Sequence, residues 1–397
     1  MPRRALHAVA GASVAGAAAG IKSDGAPDVA LIVFEKPTPT AAVFTRNRFR
    51  AAPVEVCLEH LPAGRGHIRA LLVNSGNANC GNGAAGLRVA RESCAHAARL
   101  LGCAPAEVLP FSTGVIGEPL SLPKLKQGTD AAAAKLRRNG WPKAAKAIMT
   151  TDTRPKAASV QFASGGRTVT VTGIAKGAGM IHPDMATMLA FIACDAAIAP
   201  RTLQGMLRHA CQDTFNAASV DGDTSTNDAV ACAATGRLEL AGARGLAACA
   251  AALREVCMDL AEQIVRDGEG ASRLARVTAT GFGSDAACRR VAASVAGSPL
   301  VKTMLHAGDP NVGRLLMAAG KAGVPFRPER LTVKVGGTVA FVRGARAPGY
   351  TERRGERAMK ADPVEFELAG GAGGGQASMM FCDLSAEYVK INAEYRS

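Results

Sequence analysis

Residues 173–195 hold the groups in this sequence that are best placed to do chemistry. A β-type run over 168–172 leads into a Gly-rich turn, then Pro183, then the pair Ala186-Thr187 and an apolar run. A threonine that follows a small residue after a strained turn can attack the preceding carbonyl with its hydroxyl and cut its own chain. The freed α-amine, with a pKa of about 7.7–8.0, can then take the proton of the same residue's hydroxyl. The segment therefore offers an N-terminal threonine nucleophile for acyl transfer.

Composition alone also allows a plainer interpretation, a loop that enters a buried strand with Thr187 as an ordinary β-former. Phosphate-loop and dinucleotide motifs are excluded, because Lys176 precedes the glycines, no Gly-Lys-Ser/Thr follows, and the third glycine of a dinucleotide fingerprint is missing. Without further context, the turn 112–114 (STG) is simply polar, and Lys176 and Glu269 are a solvated lysine and a solvated acid.

The segment KGAGMIHPDMATML (176–189) resembles the self-processing motif of the ornithine acetyltransferase family, also called glutamate N-acetyltransferases or arginine-biosynthesis bifunctional proteins. Further blocks match the family in the same order over nearly the whole chain. They are AGIKSDG (19–25), VFTRNRFRAAPV (43–54), VNSGNAN (73–79), STGVIG (112–117), IMTTDT (148–153), FNAASVDGDTSTND (215–228), DGEGAS (267–272), AGDPNVGR (307–314) and YVKINAEYRS (388–397).

The resemblance implies an α/β fold, a layered αββα sandwich of the self-processing N-terminal-threonine type with a second, smaller α/β domain. It also implies cleavage between Ala186 and Thr187. The products would be an α chain (1–186) and a β chain (187–397) that build both domains together and assemble as α2β2.

Site residues follow from the same resemblance. Thr187 is implied as the nucleophile, and the hydroxyl of Thr113 with the backbone N–H of Gly114 as the oxyanion hole, which acyl transfer needs for its developing negative charge. The residues implied to bind substrate are Thr150, Lys176, Thr187, Glu269, Asn392 and Ser397. Lys176 would meet a carboxylate and Glu269 an amino group, while Thr151 fits the register almost as well as Thr150.

The implied reaction is ping-pong acetyl transfer from N2-acetyl-L-ornithine to L-glutamate, without metal or cofactor. Three alternatives stay open: acetyl-CoA as a second donor, an amidase or aminopeptidase that uses water as acceptor, and a basic binding protein without catalysis. The chain departs from the family pattern at NCGNG (79–83), at Val312 in place of Trp and at Arg273 in place of Lys. Substrate range is therefore less determined than reaction type.

Charge and cysteine content limit the other classes of function. The chain has 397 residues and a net charge of +14, but its basic residues are scattered and no zinc-finger or aromatic RNA-binding motif is present, which argues against nucleic acid. Eleven cysteines without a C-x-x-C pair indicate buried thiols in a reducing compartment. Seven separated histidines predict no metal centre. We expect a cytoplasmic protein.

The elements that position these residues form a mixed α/β pattern. Strands are predicted at 29–34, 69–74, 168–172 and 276–280, and helices at 203–211 and 246–264. The first twenty residues mimic a secretory signal but are too rich in glycine, so a first strand is favoured there. The stretch 369–375 (AGGAGGG) predicts either a flexible loop or a close backbone approach. No apolar run reaches membrane-spanning length.

Overall fold

The computed structural model describes residues 5–182 and 188–394, whose strands form a larger and a smaller sheet. The larger sheet contains β1 (Ala12–Ala17), β2 (Val29–Phe44), β3 (His67–Asn77), β4 (Val108–Val115), β5 (Lys156–Ser164), β6 (Arg167–Lys176), β7 (Leu189–Ala196) and β9 (Ala229–Leu238). The helices around it are α1 (Ala52–Ala63), α2 (Gly83–Leu101), α3 (Leu122–Ala133), α4 (Trp141–Ala147), α5 (Pro200–Gln212) and α6 (Gly242–Arg266). Its strand order is β4-β3-β2-β9-β7-β6-β5, with β1 beside β2.

The long strand β2 divides the larger sheet into two halves. Residues 29–33 pair with β3, whereas residues 40–44 pair with β9, so the strand passes from one half to the other. One apolar cluster fills the space between the halves and joins Ile32 and Leu71 to Phe191. The two halves therefore pack face to face as a sandwich.

Helices cover both outer faces of this sandwich. Cys94 of α2 and Leu125 of α3 pack with Leu72 on the β3 side. On the other side, Leu207 of α5 and Leu260 of α6 share a cluster with strands β6, β7 and β9. The order of layers is helix, sheet, sheet, helix, which confirms the αββα arrangement.

A second core surrounds the smaller sheet. That sheet contains β8 (Ala218–Ser219), β10 (Leu274–Gly283), β11 (Thr332–Val335), β12 (Thr338–Val342), β13 (Ala345–Arg346) and β14 (Val364–Cys382). The helices nearby are α7 (Asp285–Ala296), α8 (Pro299–Ala307), α9 (Val312–Gly320) and α10 (Glu352–Ala358), followed by α11 (Ala386–Glu394). Apolar residues of α7, α8 and α9 pack on β10 and β14 as a cluster of their own. This is the smaller α/β unit that the family resemblance implies.

The predicted elements are present with longer boundaries. The four predicted strands lie within β2, β3, β6 and β10, the two helices lie within α5 and α6, and β1 occupies the glycine-rich start. The stretch 369–375 is part of β14 and passes around the end of β10, where a Cβ on Gly375 would overlap the backbone of Ser284. Close approach of backbones, rather than a flexible loop, therefore explains Gly370, Gly371 and Gly375.

Two further expectations can be compared with the structure. All eleven cysteines are free thiols and ten of them are buried, as predicted from their spacing. Within the described ranges, no helix combines the length and apolar character needed to cross a membrane.

Candidate active site

Thr113 and Gly114 lie near the carboxyl end of β4, in the segment 112–115 that we call the Thr113 segment. This segment pairs in parallel with the end of β3, where Gly76 faces Gly114. Gly114 has φ +131°, and a Cβ there would overlap the backbone of Gly76. Only glycine fits this position, so the strands approach closely at the place where the backbone N–H of Gly114 is predicted to act.

Neutral hydrogen bonds hold the Thr113 segment in place. The hydroxyl of Ser112 donates to Asn74 Oδ1 at 2.6 Å. The amide Nδ2 of Asn227 donates to the carbonyls of Ser112 and Ala78, at 2.9 and 2.7 Å. All three polar side chains are buried, and their satisfied bonds fix the segment without any ionised group.

Asp228, the next residue, connects this region to the start of β7. The backbone N–H of Met188 donates to Asp228 Oδ1 at 3.1 Å. Asp228 is 1% exposed, and burial raises its pKa well above the usual range. Residues 227 and 228 thus hold the end of β4 and the residue that directly follows Thr187 in the chain. Thr187 itself, with Ala186, lies outside the described residues.

Lys176 ends β6 and stands opposite Leu189, the first residue of β7. It therefore lies beside the start of β7, and Thr187 comes two residues before that strand in the chain. Its side chain is 3% exposed. Burial lowers the pKa of Lys176, whereas the nearby carboxylates of Asp152 and Glu269 act to raise it. Lys176 is therefore a buried cation beside carboxylates, not the solvated lysine of the plainer interpretation.

A buried ion network lies behind Lys176. Lys156 is fully buried, and its ammonium donates to Asp152 at 2.5 Å and to Asp267 at 2.6 Å. Burial alone would raise the pKa of Asp152, but the charges of Lys176 and Lys156 and the N–H of Gly177 lower it to about 2. We call Asp152, Lys156, Lys176, Asp267 and Glu269 the charged cluster.

The network ties together the segments that carry the predicted substrate contacts. Asp152 accepts the backbone N–H of Thr150 at 2.9 Å and that of Gly177, next to Lys176, at 2.7 Å. Asp267 accepts the N–H of Thr153 at 3.1 Å and lies two residues before Glu269. One lysine and two aspartates therefore set the relative positions of Thr150, Lys176 and Glu269.

Glu269 lies in the turn after α6 and packs against the chain that leads towards Thr187. Its backbone N–H donates to the carbonyl of Ala178 at 2.8 Å, and a Cβ on Gly179 would come within 2.5 Å of its carboxylate. Asn392 on α11 donates from Nδ2 to Glu269 Oε2 at 2.8 Å. The fold thus brings Asn392 and Glu269 into contact, whereas Ser397 lies outside the described residues.

Lys22 lies between the Thr113 segment and the charged cluster. A Cβ on Gly76 would meet the Lys22 side chain at 3.0 Å, which places that side chain against the backbone paired with Gly114. Burial lowers the pKa of Lys22, the charge of Asp152 acts to raise it, and the charge of Lys176 acts to lower it further. Thr113, Gly114, Thr150, Lys176, Glu269 and Asn392 therefore belong to one connected region.

The positions that depart from the family pattern have different surroundings. Val312 begins α9 and packs against the second core. Arg273 donates to the carbonyl of Met359 at 2.8 Å, also in that unit. In the run 79–83, Cys80 is buried and its carbonyl accepts the backbone N–H of Gly117, just past the end of β4, at 2.9 Å. Of these three departures, the run 79–83 is the one that adjoins the Thr113 segment.

Sequence reasoning missed the residues that hold the site. They are Asp152, Lys156, Asp221, Asn227, Asp228 and Asp267. All except Lys156 lie in matching blocks. An acid or amide among the small residues of such a block could therefore have indicated a residue that holds the site. Lys156 gives no such signal, because its role appears only when the fold places it between two aspartates.

Comparison with known proteins adds a family to this geometry. The sequence profile of the ArgJ family matches residues 13–397. The chain is similar to the solved arginine biosynthesis bifunctional protein ArgJ of Bacillus halodurans, with 38% identity, 52% of this chain and 98% of that chain covered, and a TM-score of 0.49. It is also similar to the ornithine acetyltransferase of Mycobacterium tuberculosis complexed with ornithine, with 34% identity, coverage of 47% and 97%, and a TM-score of 0.40. A β-aminopeptidase from Burkholderia sp. is 13% identical, with coverage of 68% and 88% and a TM-score of 0.45.

Proposed function

The chain belongs to the ArgJ family, and on this premise we propose that it moves an acetyl group from N2-acetyl-L-ornithine to L-glutamate. Membership of this family makes it an acetyltransferase of arginine biosynthesis. One observation carries the finer proposal: a buried cation, Lys176, and a buried carboxylate, Glu269, both adjoin the chain that leads to the Ala186–Thr187 bond.

Two charges of the charged cluster, those of Lys176 and Glu269, suit the two amino acids. Acetylornithine and glutamate share an α-carboxylate, which the ammonium of Lys176 would bind. The free side-chain ammonium of acetylornithine would pair with the carboxylate of Glu269, which Asn392 orients through its hydrogen bond. Charge-assisted hydrogen bonds of this kind are stronger than neutral ones, which supports an amino-acid ligand over an uncharged amide.

Self-cleavage would first create the nucleophile. The hydroxyl oxygen of Thr187 attacks the carbonyl carbon of Ala186, the peptide C–N bond breaks, and the hydroxyl proton passes to the departing nitrogen. Water then hydrolyses the resulting ester, which leaves a carboxylate on Ala186 and a free amine and hydroxyl on Thr187. The α and β chains would stay together, since β6 and β7 pair on either side of the cut.

Acetyl transfer would then use the same residue twice. The Thr187 hydroxyl attacks the acetyl carbonyl while the Thr187 amine accepts its proton, and Thr113 and Gly114 stabilise the oxyanion. Ornithine leaves with that proton, and an acetyl ester remains on Thr187. The amine of glutamate next attacks the ester, and its proton returns to the threonine oxygen. We further propose an α2β2 assembly, with no metal or cofactor in these steps.

Labelled donors test this function. Purified protein is incubated with glutamate and with acetylornithine that carries a deuterated acetyl group, and products are followed by mass spectrometry. We expect the label in N-acetylglutamate, with Thr187→Ala inactive and Thr187→Ser partly active. Release of the label as acetate instead would identify an amidase that uses water. A parallel reaction with labelled acetyl-CoA measures the second donor, for which we expect a lower kcat/KM.

A further inference from the structure

Hydrogen bonds hold the backbone of four described residues that precede the proposed cut: Gly177, Ala178, Met180 and Ile181. The N–H of Gly177 donates to Asp152, and the carbonyl of Ala178 accepts the N–H of Glu269. Further along the chain, the carboxylate of Asp221 accepts the N–H groups of Met180 and Ile181, at 2.5 and 2.8 Å. The neighbours of Asp221 add two bonds, because Val220 and Gly222 both donate to the carbonyl of Ile181.

Met180 has a conformation that its side chain disfavours. Its φ is +57°, in the left-handed region that non-glycine residues rarely adopt. Successive N–H groups around a left-handed residue form a concave donor that attracts an anion. The carboxylate of Asp221 fills this role with both oxygens, so it stabilises the turn that Met180 alone would resist.

Asp221 also contacts the carboxyl-terminal helix. The hydroxyl of Tyr388 on α11 donates to Asp221 Oδ2 at 3.3 Å. Burial raises the pKa of Tyr388, and the neighbouring Asp221 carboxylate raises it further, so the phenol stays a donor. Since α11 also supplies Asn392 to Glu269, one carboxylate touches both the turn before the cut and the helix that reaches the charged cluster.

We propose that Asp221 is a positioning residue for self-cleavage, because it holds the left-handed turn at Met180 and Ile181 from which the chain continues to the Ala186–Thr187 bond. The inference rests on the proposed self-cleavage. Asp221 forms and breaks no covalent bond in it. The bond from Tyr388 is longer, at 3.3 Å, than the two backbone bonds to Asp221, so its loss should leave the turn in place and cleavage unchanged.

The test is the rate at which the full-length chain splits after cell-free synthesis, followed by intact mass. Asp221→Asn keeps the size of the side chain but replaces one accepting oxygen with an NH₂ group, and we expect cleavage to slow by about tenfold or more. The matched control is Asp223→Asn, an exposed acid two residues away, which should cleave normally. Tyr388→Phe should also cleave normally.

A second pair of variants leaves Asp221 intact and changes only the preference of the turn. Met180→Gly accepts a positive φ without cost, whereas Met180→Val resists it strongly. We therefore expect Met180→Val to slow cleavage and Met180→Gly to restore part of the rate when combined with Asp221→Asn. Rescue by Met180→Gly would show that Asp221→Asn slows cleavage through the turn, because a loss caused by unfolding elsewhere would not respond to the φ preference of residue 180.

The outcomes separate this inference from the proposed function. If the wild-type chain never splits, the proposed self-cleavage is wrong. If the wild type splits and Asp221→Asn splits at the same rate, the role of Asp221 is wrong and the proposed function stands. Equal rates for Met180→Gly and Met180→Val would likewise contradict a role for the left-handed turn.

Discussion

The Thr113 segment and the charged cluster adjoin each other but are held in opposite ways. Around the Thr113 segment, strand pairing, the glycine contact at Gly114 and the amides of Asn74 and Asn227 fix the backbone, and none of these groups ionises. In the charged cluster, the position of each segment depends on Lys156 and its two aspartates.

The difference follows from what each region must do. A donor for a developing oxyanion has to be present at a fixed place before the reaction, and a backbone N–H in a tightly paired strand meets that need. Binding amino-acid head groups requires buried charges, and each buried charge must be balanced by another. Substitutions in the first region should therefore change kcat, whereas those in the second should change stability, KM and pH dependence.

The largest expected effect is on stability, from Lys156→Met. This change removes the ammonium that joins Asp152 to Asp267 in the core. Only the half-exposed Arg154, at 3.6 Å from Asp267, and the charge of Lys176 near Asp152 remain. Loss of one partner of a buried pair costs about 3–5 kcal/mol. Urea unfolding measures the free energy. The control is Arg91→Met, which breaks a half-exposed pair with Glu59 and should lower the free energy of unfolding far less. Equal losses in the two variants would contradict the role given to the buried network.

The next effect is on catalysis, from Gly114→Ala. The added Cβ overlaps the Gly76 backbone, so the strand must shift and carry the Gly114 N–H away from its place. Loss of one oxyanion donor typically lowers kcat about 100- to 1,000-fold. Gly117→Ala is the control, since Gly117 also has a positive φ but has open space around it. A variant with normal kcat and raised KM would remove Gly114 from the oxyanion hole.

A smaller effect is expected from Glu269→Gln. The change keeps the shape of the side chain but removes the charge that would pair with the ammonium of acetylornithine. Stabilisation of the transition state should weaken by about 1.5–3 kcal/mol, which lowers kcat/KM for this donor roughly ten- to more than a hundredfold. Self-cleavage should be spared. Intact mass and steady-state kinetics check the two parts, and unchanged kinetics would exclude Glu269 from substrate binding.

The smallest effect concerns pH. Burial lowers the pKa of Lys176 from 10.5, so its ammonium is charged below the lowered value and loses its charge as pH rises through it. KM for acetylornithine should therefore rise with pH before 10.5 is reached. Lys176→Arg keeps its charge throughout this range, so its KM should stay flatter. The same alkaline rise in both proteins would mean that the substrate, not Lys176, titrates.

The residue pattern alone predicted a mixed α/β fold, and the family resemblance supplied the order of the layers and the candidate site residues. Apolar runs identified β2, β3, β6 and β10, and the matching blocks identified Lys176 and Glu269. An apolar run and a matching block are each contained in a short stretch of chain, so each can be recognised without knowledge of the fold. The placement of Thr187 and Ser397 stays a prediction, as does cleavage, because these residues lie outside the described ranges.

The groups that hold the site could not be predicted. Lys156 and Asp267 are 111 residues apart and meet only because β5 and α6 pack together. Asn227 reaches Ser112 over 115 residues. In the sequence, a buried lysine at the start of a strand cannot be distinguished from an exposed lysine, because its burial and its partners are properties of the packed fold.

The central claim is that Thr187 becomes an N-terminal nucleophile that carries the acetyl group. The most direct measurement is peptide mapping by mass spectrometry after the purified protein is mixed with acetylornithine in the absence of glutamate and quenched in acid. The account predicts a peptide that begins at Thr187 and carries the mass of one acetyl group, which glutamate removes when added before the quench. An uncut chain that still transfers acetyl groups, or an acetyl group on any residue other than Thr187, would contradict it.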